Sequence, residues 1–457
     1  MIAPIPLLRL HAQTGGQLSQ ADNTAVTISG AAIDHRKVKA GDLFVALVGA
    51  RVDGHDYAQR AIDAGAVAVM TTRRLVIDVP QLIVDDAAQG LAALAGLVRA
   101  DFRGTVIGIT GSAGKTTAKN MLASILRQVG ETVATQGNQN NELGVPLTLL
   151  SVTPTTEFVV LEMGAGKPGD IQYLVDIAQP QIGVLLNAAA AHLANYPSVD
   201  AIAETKGAIV ARLPSDGIAI INGEQPWTQQ WRDRAAPAPV KTIGFNEACD
   251  CRAVDIRYQG FQGTAFTAIC EPERFPVRLQ VPGKGGVHNA LAAIAVASAL
   301  GISAATISSG LSRVTPAPGR GLVHVTGSGA RIIDDSYNAS PMAVCAAIDA
   351  LATEPGVRTL VLGAMLELGA DSARLHAMVG AHAKAAGIER LFAIGDATRG
   401  AARAFGEAAI MFPDRETAMT ALAKLTVDDV VLVKGSRGAG LEILVEALAK
   451  SSEKTSC

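Results

Sequence analysis

Short apolar runs alternate with alanine-rich amphipathic stretches along most of the chain. Four clear runs are VIGIT at 106–110, FVVLE at 158–162, IGVLLN at 182–187 and VVLVKG at 430–435. Each ends in glycine or polar residues, which is typical of buried strands that are followed by tight turns. Strands alternating with helical stretches predict an α/β protein with parallel sheets covered on both faces.

Changes in this pattern predict three domains, spanning residues 1–83, 84–317 and 318–457. The first is a small α/β module with apolar runs at 43–49 and 66–70. The second is a central parallel-sheet ATPase domain with a P-loop. The segment TPAPGRG at 315–321 is rich in proline and glycine and predicts a linker. After it, strands ending in polar turns predict a doubly wound, Rossmann-like domain.

The central domain also carries more local predictions. The helix that opens at Thr116 is predicted to run to Val129, with Gly130 as its C-terminal stop. Residues 218–281 are predicted to form strands. The alanine-rich helix that follows would begin near Asn289, whose side chain could cap it.

The run at 106–110 leads into the turn GSAGKTT, which has the composition of a phosphate-binding loop. Glycines let backbone N–H groups approach an anion at the N-terminus of the next helix. Lys115 would reach the terminal phosphates and Thr116 would hold Mg²⁺. An ordinary strand-to-helix turn with a surface lysine is the alternative. The predicted nucleotide-binding residues of this turn are Gly111, Ser112, Ala113, Gly114, Lys115, Thr116 and Thr117.

Two further side chains stand where parallel strands end or shortly after, and a third lies on the helix that follows. Glu162 closes one strand and could share Mg²⁺ with Thr116, and His192 follows the next strand. A lone histidine is otherwise a hydrogen-bonded structural residue. Lys206 lies on an apolar helix face, where a lysine normally extends its ammonium group to water.

Polar loops supply the remaining candidates. The segment GNQNNELGVP at 137–146 carries Asn138, Asn140 and Asn141, which could bind a ligand or simply form turns. The first module has polar residues after its strands, including Asp34, Arg36, Gly54 and His55, and loops of this kind are otherwise only solvated.

Composition narrows the function classes. At 457 residues the chain is too long for one core, and its 49% hydrophobic content suits several packed domains. A net charge of −3 without a Lys/Arg cluster argues against nucleic-acid binding. Five scattered cysteines predict reduced thiols in a cytoplasmic protein. We expect no signal peptide and no membrane span.

Five segments together resemble the Mur ligases, the ATP-dependent enzymes that add amino acids to the peptidoglycan precursor. They are TGSAGKTT, GNQNNELGVP, LEMGAG, AAAAHL and AETKGAI. Folylpolyglutamate synthases are similar over the phosphate loop, but the module containing DHRKVKAGDLFVALVGARVDGHDY resembles the uridine-nucleotide domain of the Mur branch. DDSYNASP, GAMLELG and KGSRG resemble the members that add D-alanyl-D-alanine. The Asp-Asn-Pro-Arg motif of the members that add the third residue is absent from this sequence.

The resemblance implies two Mg²⁺ sites and a role for each candidate. Lys115 and Thr116 would bind ATP phosphates, Glu162 and His192 would ligate metal, and Lys206 would carry a carbamate that also faces the metals. Adenine, ribose and phosphate would contact Asn289, Arg320, Asp335 and Asn338. The remaining substrate contacts would come from Asp34, Arg36, Gly54, His55, Asn138, Asn141, Lys434 and Arg437.

The implied reaction joins D-alanyl-D-alanine to a UDP-N-acetylmuramoyl-tripeptide through an acyl phosphate. We expect a monomer that uses these two small substrates and ATP. Three alternatives remain open at this point: a folylpolyglutamate synthase-like enzyme, a third-residue-adding Mur ligase and a non-catalytic nucleotide-binding scaffold.

Overall fold

Each part of the chain builds its own β-sheet. The computed structural model describes residues 2–19, 25–190 and 195–450. These residues form a five-stranded, a nine-stranded and a six-stranded sheet, together with one two-stranded ribbon. The predicted α/β class with three domains is confirmed. Among the described helices, none combines the length and apolar character needed to cross a membrane.

The first sheet is mostly parallel. Its strands and the ribbon strands are β1 (Ile5–Pro6), β2 (Gln17–Leu18), β3 (Thr27–Ile28), β4 (Gly30–Ala32), β5 (Asp42–Val45), β6 (Ala68–Thr71) and β7 (Gln81–Ile83), with helices α1 (Leu7–Thr14) and α2 (Ala58–Asp63). The order is β2-β7-β6-β5-β4, in which only the β2–β7 pair is antiparallel. The carboxyl ends of β4 and β5 therefore share one edge, where the candidate residues of this module lie.

The central sheet has a parallel core and an antiparallel margin. Its strands are β8 (Thr105–Thr110), β9 (Glu131–Ala134), β10 (Thr156–Glu162), β11 (Ile182–Leu185), β12 (Ile218–Asn222), β13 (Val240–Gly244), β14 (Cys251–Tyr258), β15 (Thr264–Cys270) and β16 (Glu273–Leu279). The order is β16-β15-β14-β13-β12-β11-β8-β10-β9, parallel from β14 to β9. The hairpin-linked strands β15 and β16 run antiparallel to their neighbours, so the sheet is mixed.

Helices cover this sheet and connect it to the first module. They are α3 (Ala87–Asp101), α4 (Lys115–Leu126), α5 (Gly144–Leu149), α6 (Asp170–Ala178), α7 (Val199–Gly207), α8 (Thr228–Ala235), α9 (Gly283–Ala299) and α10 (Ala304–Ser312). Helix α3 contacts α1 and β6 on the module side and α5 and α6 on the central side. One continuous apolar cluster therefore includes Met70 of the first sheet, Leu94 of α3 and Val106 of β8.

Three local predictions for this domain were wrong. Helix α4 ends at Leu126, three residues before Val129, and the N–H of Gly130 bonds back to the Leu126 carbonyl. The stretch 218–281 contains helix α8, whose Trp231 is fully buried. Helix α9 begins at Gly283, so Asn289 lies in its second turn and cannot cap it.

The last sheet is doubly wound. Its elements are β17 (Leu322–Val325), β18 (Arg331–Asp335), α11 (Pro341–Ala352), β19 (Val357–Leu362), α12 (Ser372–Ala385), β20 (Arg390–Ile394), α13 (Arg399–Phe405), β21 (Ala409–Phe412), α14 (Arg415–Leu422), β22 (Asp429–Lys434) and α15 (Glu442–Lys450). The order is β17-β18-β22-β19-β20-β21, and only the edge strand β17 is antiparallel. Helices α11, α12 and α13 pack on one apolar cluster and α14 and α15 on another.

A hairpin of the central domain docks into the last domain. The tip between β14 and β15 carries Phe261, which is 7% exposed and belongs to the apolar cluster under α11 and α12. Its N–H donates to Glu354 Oε1 at 2.7 Å, and Arg331 pairs with the same carboxylate through Oε2 at 2.5 Å. The central and last domains therefore touch at this tip as well as through the chain that connects them.

Candidate active site

The phosphate loop is held in shape by residues outside it. Gly114 has φ +84°, and a Cβ built on it would lie 2.2 Å from Asn289 Oδ1, so only glycine fits there. The N–H of Ala113 donates to Asn187 Oδ1 at 2.9 Å, and Asn187 Nδ2 donates to the Ala113 carbonyl at 3.1 Å. Ser112 donates through Oγ to the Ala189 carbonyl at 3.1 Å.

Lys115 folds back over this loop from the first residue of α4. Its Nζ donates to the Gly111 carbonyl at 2.9 Å. Burial lowers the pKa of Lys115, Arg320 lowers it further and Glu162 raises it. Thr116 and Thr117 follow in the first helical turn, half-buried. A cation and a helix N-terminus thus converge at the end of β8, the arrangement that binds phosphate.

Glu162 is a buried carboxylate with one oxygen free. It lies at the end of β10, is 2% exposed, and its Oε1 accepts from Asn140 Nδ2 at 2.8 Å. Its backbone N–H donates to Thr135 Oγ1 at 2.9 Å. Oε2 is buried without a hydrogen-bond partner among the described residues. Such an oxygen is costly unless something binds it, and a hard cation such as Mg²⁺ suits it.

Lys206 is buried near the same place, on α7. The residue is only 4% exposed. Burial holds the pKa of Lys206 well below its usual range, and Lys115 lowers it further. The side chain is therefore biased toward the neutral amine, a nucleophile.

The third predicted metal ligand, His192, lies outside the described residues. Within the described ranges, no group of three or more His, Cys, Asp or Glu side chains forms a metal-binding cluster. The metal set of Thr116, Glu162, His192 and Lys206 therefore stays a prediction.

Two arginines of the predicted site share one aromatic ring in the last domain. The guanidinium carbon of Arg320 lies 4.2 Å from the centre of the Tyr337 ring, and that of Arg437 lies 5.5 Å from it. Arg320 also affects the charge state of Lys115. Arg320 is therefore the residue at the start of the last domain that acts electrostatically on the phosphate loop.

The other predicted residues of the last domain form their own cluster. Lys434 is 3% exposed and donates to Asp335 Oδ2 at 2.6 Å and to the Asn338 carbonyl at 3.1 Å. Asn338 is exposed, and its Oδ1 accepts from the N–H of Ala339. Because Lys434 is fully engaged, it fixes Asp335 and the segment after β18 in this structure.

The first module gathers its candidates at the edge shared by β4 and β5. Arg36 forms two hydrogen bonds with Asp34, at 2.9 and 2.8 Å, and these hold the pKa of Asp34 at about 2. Gly54 packs so closely that a Cβ would lie 2.7 Å from the Leu47 backbone. His55 is buried, with one ring nitrogen 2.6 Å from Asp53 Oδ1 and the other accepting from the N–H of Thr72 at 3.0 Å. Its ring is therefore fully satisfied by protein.

The two asparagines of this loop predicted to contact substrate are exposed. Asn141 also accepts from the N–H of Gly144 at 3.0 Å and so anchors the start of α5, whereas Asn138 makes no such side-chain bond among the described residues. Among the predicted site residues, Lys115 interacts electrostatically with Glu162, Lys206 and Arg320. Asn289 contacts the phosphate loop at Gly114.

Comparison with known proteins gives the family. Residues 27–98 match the Mur ligase family catalytic domain, residues 109–297 the Mur ligase middle domain and residues 319–437 the glutamate ligase domain of Mur ligases. The chain is 38% identical to the UDP-N-acetylmuramoyl-tripeptide–D-alanyl-D-alanine ligase of Escherichia coli over 98% of this chain and 99% of that protein. The chain belongs to the Mur ligase family.

Solved structures agree over nearly the whole of this Mur ligase. The MurF structure from Acinetobacter baumannii superposes with a TM-score of 0.91 at 30% identity, covering 98% of this chain and 99% of the other. The Thermotoga maritima MurF ligase in complex with ADP superposes with a TM-score of 0.82 at 32% identity, covering 93% and 98%.

Sequence reasoning missed two residues that shape the site of this Mur ligase, Asn187 and Tyr337, and predicted a third, Asn140, only as a possible ligand contact. Asn140 holds Glu162, Asn187 holds the phosphate loop, and the ring of Tyr337 lies against two arginines. Tyr337 lies in the motif DDSYNASP, but nothing local distinguishes it from its neighbours. Asn187 gave a weak signal, as the polar residue that closes the apolar run IGVLLN.

Proposed function

We propose that this Mur ligase uses ATP to join D-alanyl-D-alanine to a UDP-N-acetylmuramoyl-tripeptide in peptidoglycan precursor synthesis. The E. coli relative carries that activity in its name, and the similarity covers all three domains. The observation that carries the proposal is the unpartnered Oε2 of buried Glu162, close enough to Lys115 to influence its charge. Such a pocket suits a polyphosphate with its metal ion.

The proposed chemistry activates an acid so that an amine can capture it. The terminal carboxylate of the tripeptide attacks the γ-phosphorus, the bond to the β–γ bridging oxygen breaks, and ADP leaves. The amine of the dipeptide then attacks the acyl carbon, phosphate departs and a proton is lost, which leaves an amide. Lys115 and the N–H groups of the loop hold the phosphates and offset the charge that develops on them.

The metal-binding role rests on the donors present. Thr116, Glu162 and His192 would hold two Mg²⁺ ions, which would supply positive charge to neutralise the phosphates. A carbamate on Lys206 would complete the set. The neutral amine that burial favours adds to carbon dioxide, forming an N–C bond and releasing a proton. This converts a buried neutral amine into an anion that can face metal.

Substrate contacts are divided among the domains, for which we propose the boundaries 1–83, 84–317 and 318–457. Asp34, Arg36, Gly54 and His55 would form and support the uridine site. Asn138, Asn141, Lys434 and Arg437 would contact the peptide parts. Asn289, Arg320, Asp335 and Asn338 would bind the nucleoside side of ATP. Because Lys434 is engaged by Asp335, its role at the substrate would be to position that carboxylate.

The alternatives predict different substrates. A folylpolyglutamate synthase-like enzyme would use glutamate and have no need of the first module, which here matches the Mur ligase family. A third-residue-adding ligase would take a dipeptide-linked acceptor and a single amino acid. A nucleotide-binding scaffold would release no ADP.

The test is a coupled ADP-release assay with the full chain. We expect ADP only when ATP, UDP-N-acetylmuramoyl-tripeptide and D-alanyl-D-alanine are all present, with mass spectrometry detecting the pentapeptide product. Matched reactions replace the dipeptide by glutamate or by one diamino acid and the tripeptide by the UDP-linked dipeptide. Turnover in a matched reaction but not in the first would contradict the proposal. Gel filtration with light scattering tests the expected monomer.

A further inference from the structure

Asn140 is the one side chain among the described residues that bonds the Glu162 carboxylate. Its Nδ2 donates to Oε1 at 2.8 Å, while Oε2 stays buried and unpartnered. The amide is therefore hydrogen-bonded to one carboxylate oxygen, and the other oxygen is free to bind a ligand. Asn140 lies on the loop between β9 and α5, 22 residues before Glu162.

The backbone holds Asn140 at both of its polar groups. Its N–H donates to the Asn138 carbonyl at 2.8 Å, and its carbonyl accepts from the N–H of Gly164 at 2.8 Å. Gly164 also makes room for it, since a Cβ there would lie 2.9 Å from Asn140 Oδ1. The loop is therefore joined to the turn after β10, just beyond Glu162.

A neutral amide is the donor type that suits a metal-binding carboxylate. A lysine or arginine at this position would neutralise Glu162 and compete with a cation. An aspartate would repel it. An amide fixes the rotation of the carboxyl group and leaves its negative charge for the ligand on the opposite oxygen.

We propose that Asn140 is a positioning residue that orients Glu162 so that Oε2 faces a divalent cation. This inference rests on the proposed function, because it assumes that Glu162 binds the metal of a nucleotide complex. Asn140 itself touches neither substrate nor metal.

The experiment measures metal binding directly, with Mn²⁺ as a paramagnetic substitute for Mg²⁺ and the full chain saturated with ADP. We expect Asn140→Ala to raise the Mn²⁺ dissociation constant about tenfold or more, the effect usual for losing a partner of a metal ligand. Asn140→Gln, which keeps the amide, should recover part of the affinity. The matched control is Gln136→Ala, an exposed residue of the same segment, which should bind Mn²⁺ like the parent.

A second comparison separates orientation of Glu162 from general loosening. In the Glu162→Gln background, Asn140→Ala should cause no further loss of Mn²⁺ affinity, because no carboxylate remains to be oriented. An equal loss in both backgrounds would overturn the inference, as would unchanged affinity in Asn140→Ala. If Asn140→Ala does not fold, Asn140→Gln and Asn140→Ser are compared in its place under the same criteria. Failure of the parent to bind Mn²⁺ or to ligate would instead reject the proposed function.

Discussion

At the scale of single residues, the site contains two buried ionisable side chains, Lys206 and Glu162. Lys206 is a buried amine, and Glu162 has a buried oxygen with no hydrogen-bond partner in the described ranges. Neither state is favourable in a resting protein, because a buried polar group costs free energy unless it is paired. Under the proposed function, phosphate, metal and a carbamate on Lys206 would compensate both.

Replacing Lys206 tests this view. Lys206→Ala should lower ligation about a hundredfold or more, because an anion that faces the metals is lost. Added short carboxylic acids should restore part of the rate by occupying the vacated space. The measurement is ADP release with increasing acid concentration. Lys424→Ala, an exposed lysine in the last domain, should keep full activity with no response to acid, and full activity of Lys206→Ala would remove the amine from the mechanism.

His288 predicts a dependence of stability on pH. Burial lowers the pKa of His288 to about 4 from an ordinary 6.5, with Lys284 adding to this and Glu224 opposing it. The unfolded chain therefore binds more protons between these values, so stability is complete above pH 6.5 and falls as the pH drops toward 4. The loss is about 3 kcal/mol for a shift of this size.

Denaturant unfolding at pH 7 and at pH 4.5 measures this dependence. His288→Gln should lose less free energy of unfolding between the two pH values than the parent, since glutamine does not titrate. Parallel losses in the two proteins would show that other groups govern the acid instability.

At the scale of elements, the phosphate loop is preassembled by contacts from two other elements. Asn187, after β11, bonds both polar groups of Ala113, and Asn289 on α9 packs against Gly114. A loop held in this way needs little reordering when phosphate binds, which limits the entropic cost of binding.

Gly114→Ala should therefore weaken ADP binding about tenfold or more. Alanine at φ +84° is strained by about 1–2 kcal/mol, and its Cβ would push Asn289 away. Gly285→Ala is the matched control, because that glycine lies in α9 with open space around it. It should bind ADP like the parent and gain about 0.5–1 kcal/mol of helix stability. Calorimetric titration measures the ADP affinity of each variant. Equal affinities of Gly114→Ala and the parent would mean that the loop tolerates the added methyl group.

The helices and strands also show which features the sequence predicts and which it does not. The apolar run at 106–110 and its glycines predicted β8, the loop and α4, because these signals are local. Helix α8 was missed, since it is short and its register is set by burying Trp231. Asn289 was assigned to a cap because the start of α9 at Gly283 lacks a capping side chain. The contacts of Asn140 and Asn187 join distant segments, and one sequence contains no signal for such pairing.

At the scale of the whole molecule, the last domain has two links to the central one besides the packing of α11 on α9. One is the segment at 315–321, in which the N–H of Gly319 donates to Asp334 Oδ2 at 2.8 Å. The other is the hairpin tip, where Phe261 enters the apolar cluster and Glu354 binds its N–H. Together these contacts hold an orientation that one flexible connection would not, and the tip contributes to it.

Phe261→Ala should loosen this orientation. Truncating a buried phenylalanine lowers the free energy of unfolding by about 3 kcal/mol or more. At Phe261 the loss would weaken the docking of the two domains as well as the packing of the cluster. We expect faster proteolysis at 315–321, a broader small-angle scattering envelope and a raised KM for D-alanyl-D-alanine, with ADP affinity little changed. Tyr258→Ala on the same hairpin, 49% exposed, is the control. Unchanged scattering and KM in a folded Phe261→Ala protein would contradict the role of the tip.

Helix α3 makes the boundary between the first module and the central domain different from the boundary between the central and last domains. Because its two sides pack on the module and on the central sheet, these two units share one apolar interior. They should lose structure together in a single cooperative transition, while the last domain can melt on its own. A uridine compound bound to the module would then protect the ATP-binding sheet from heat, with no signal passing between the sites other than shared stability.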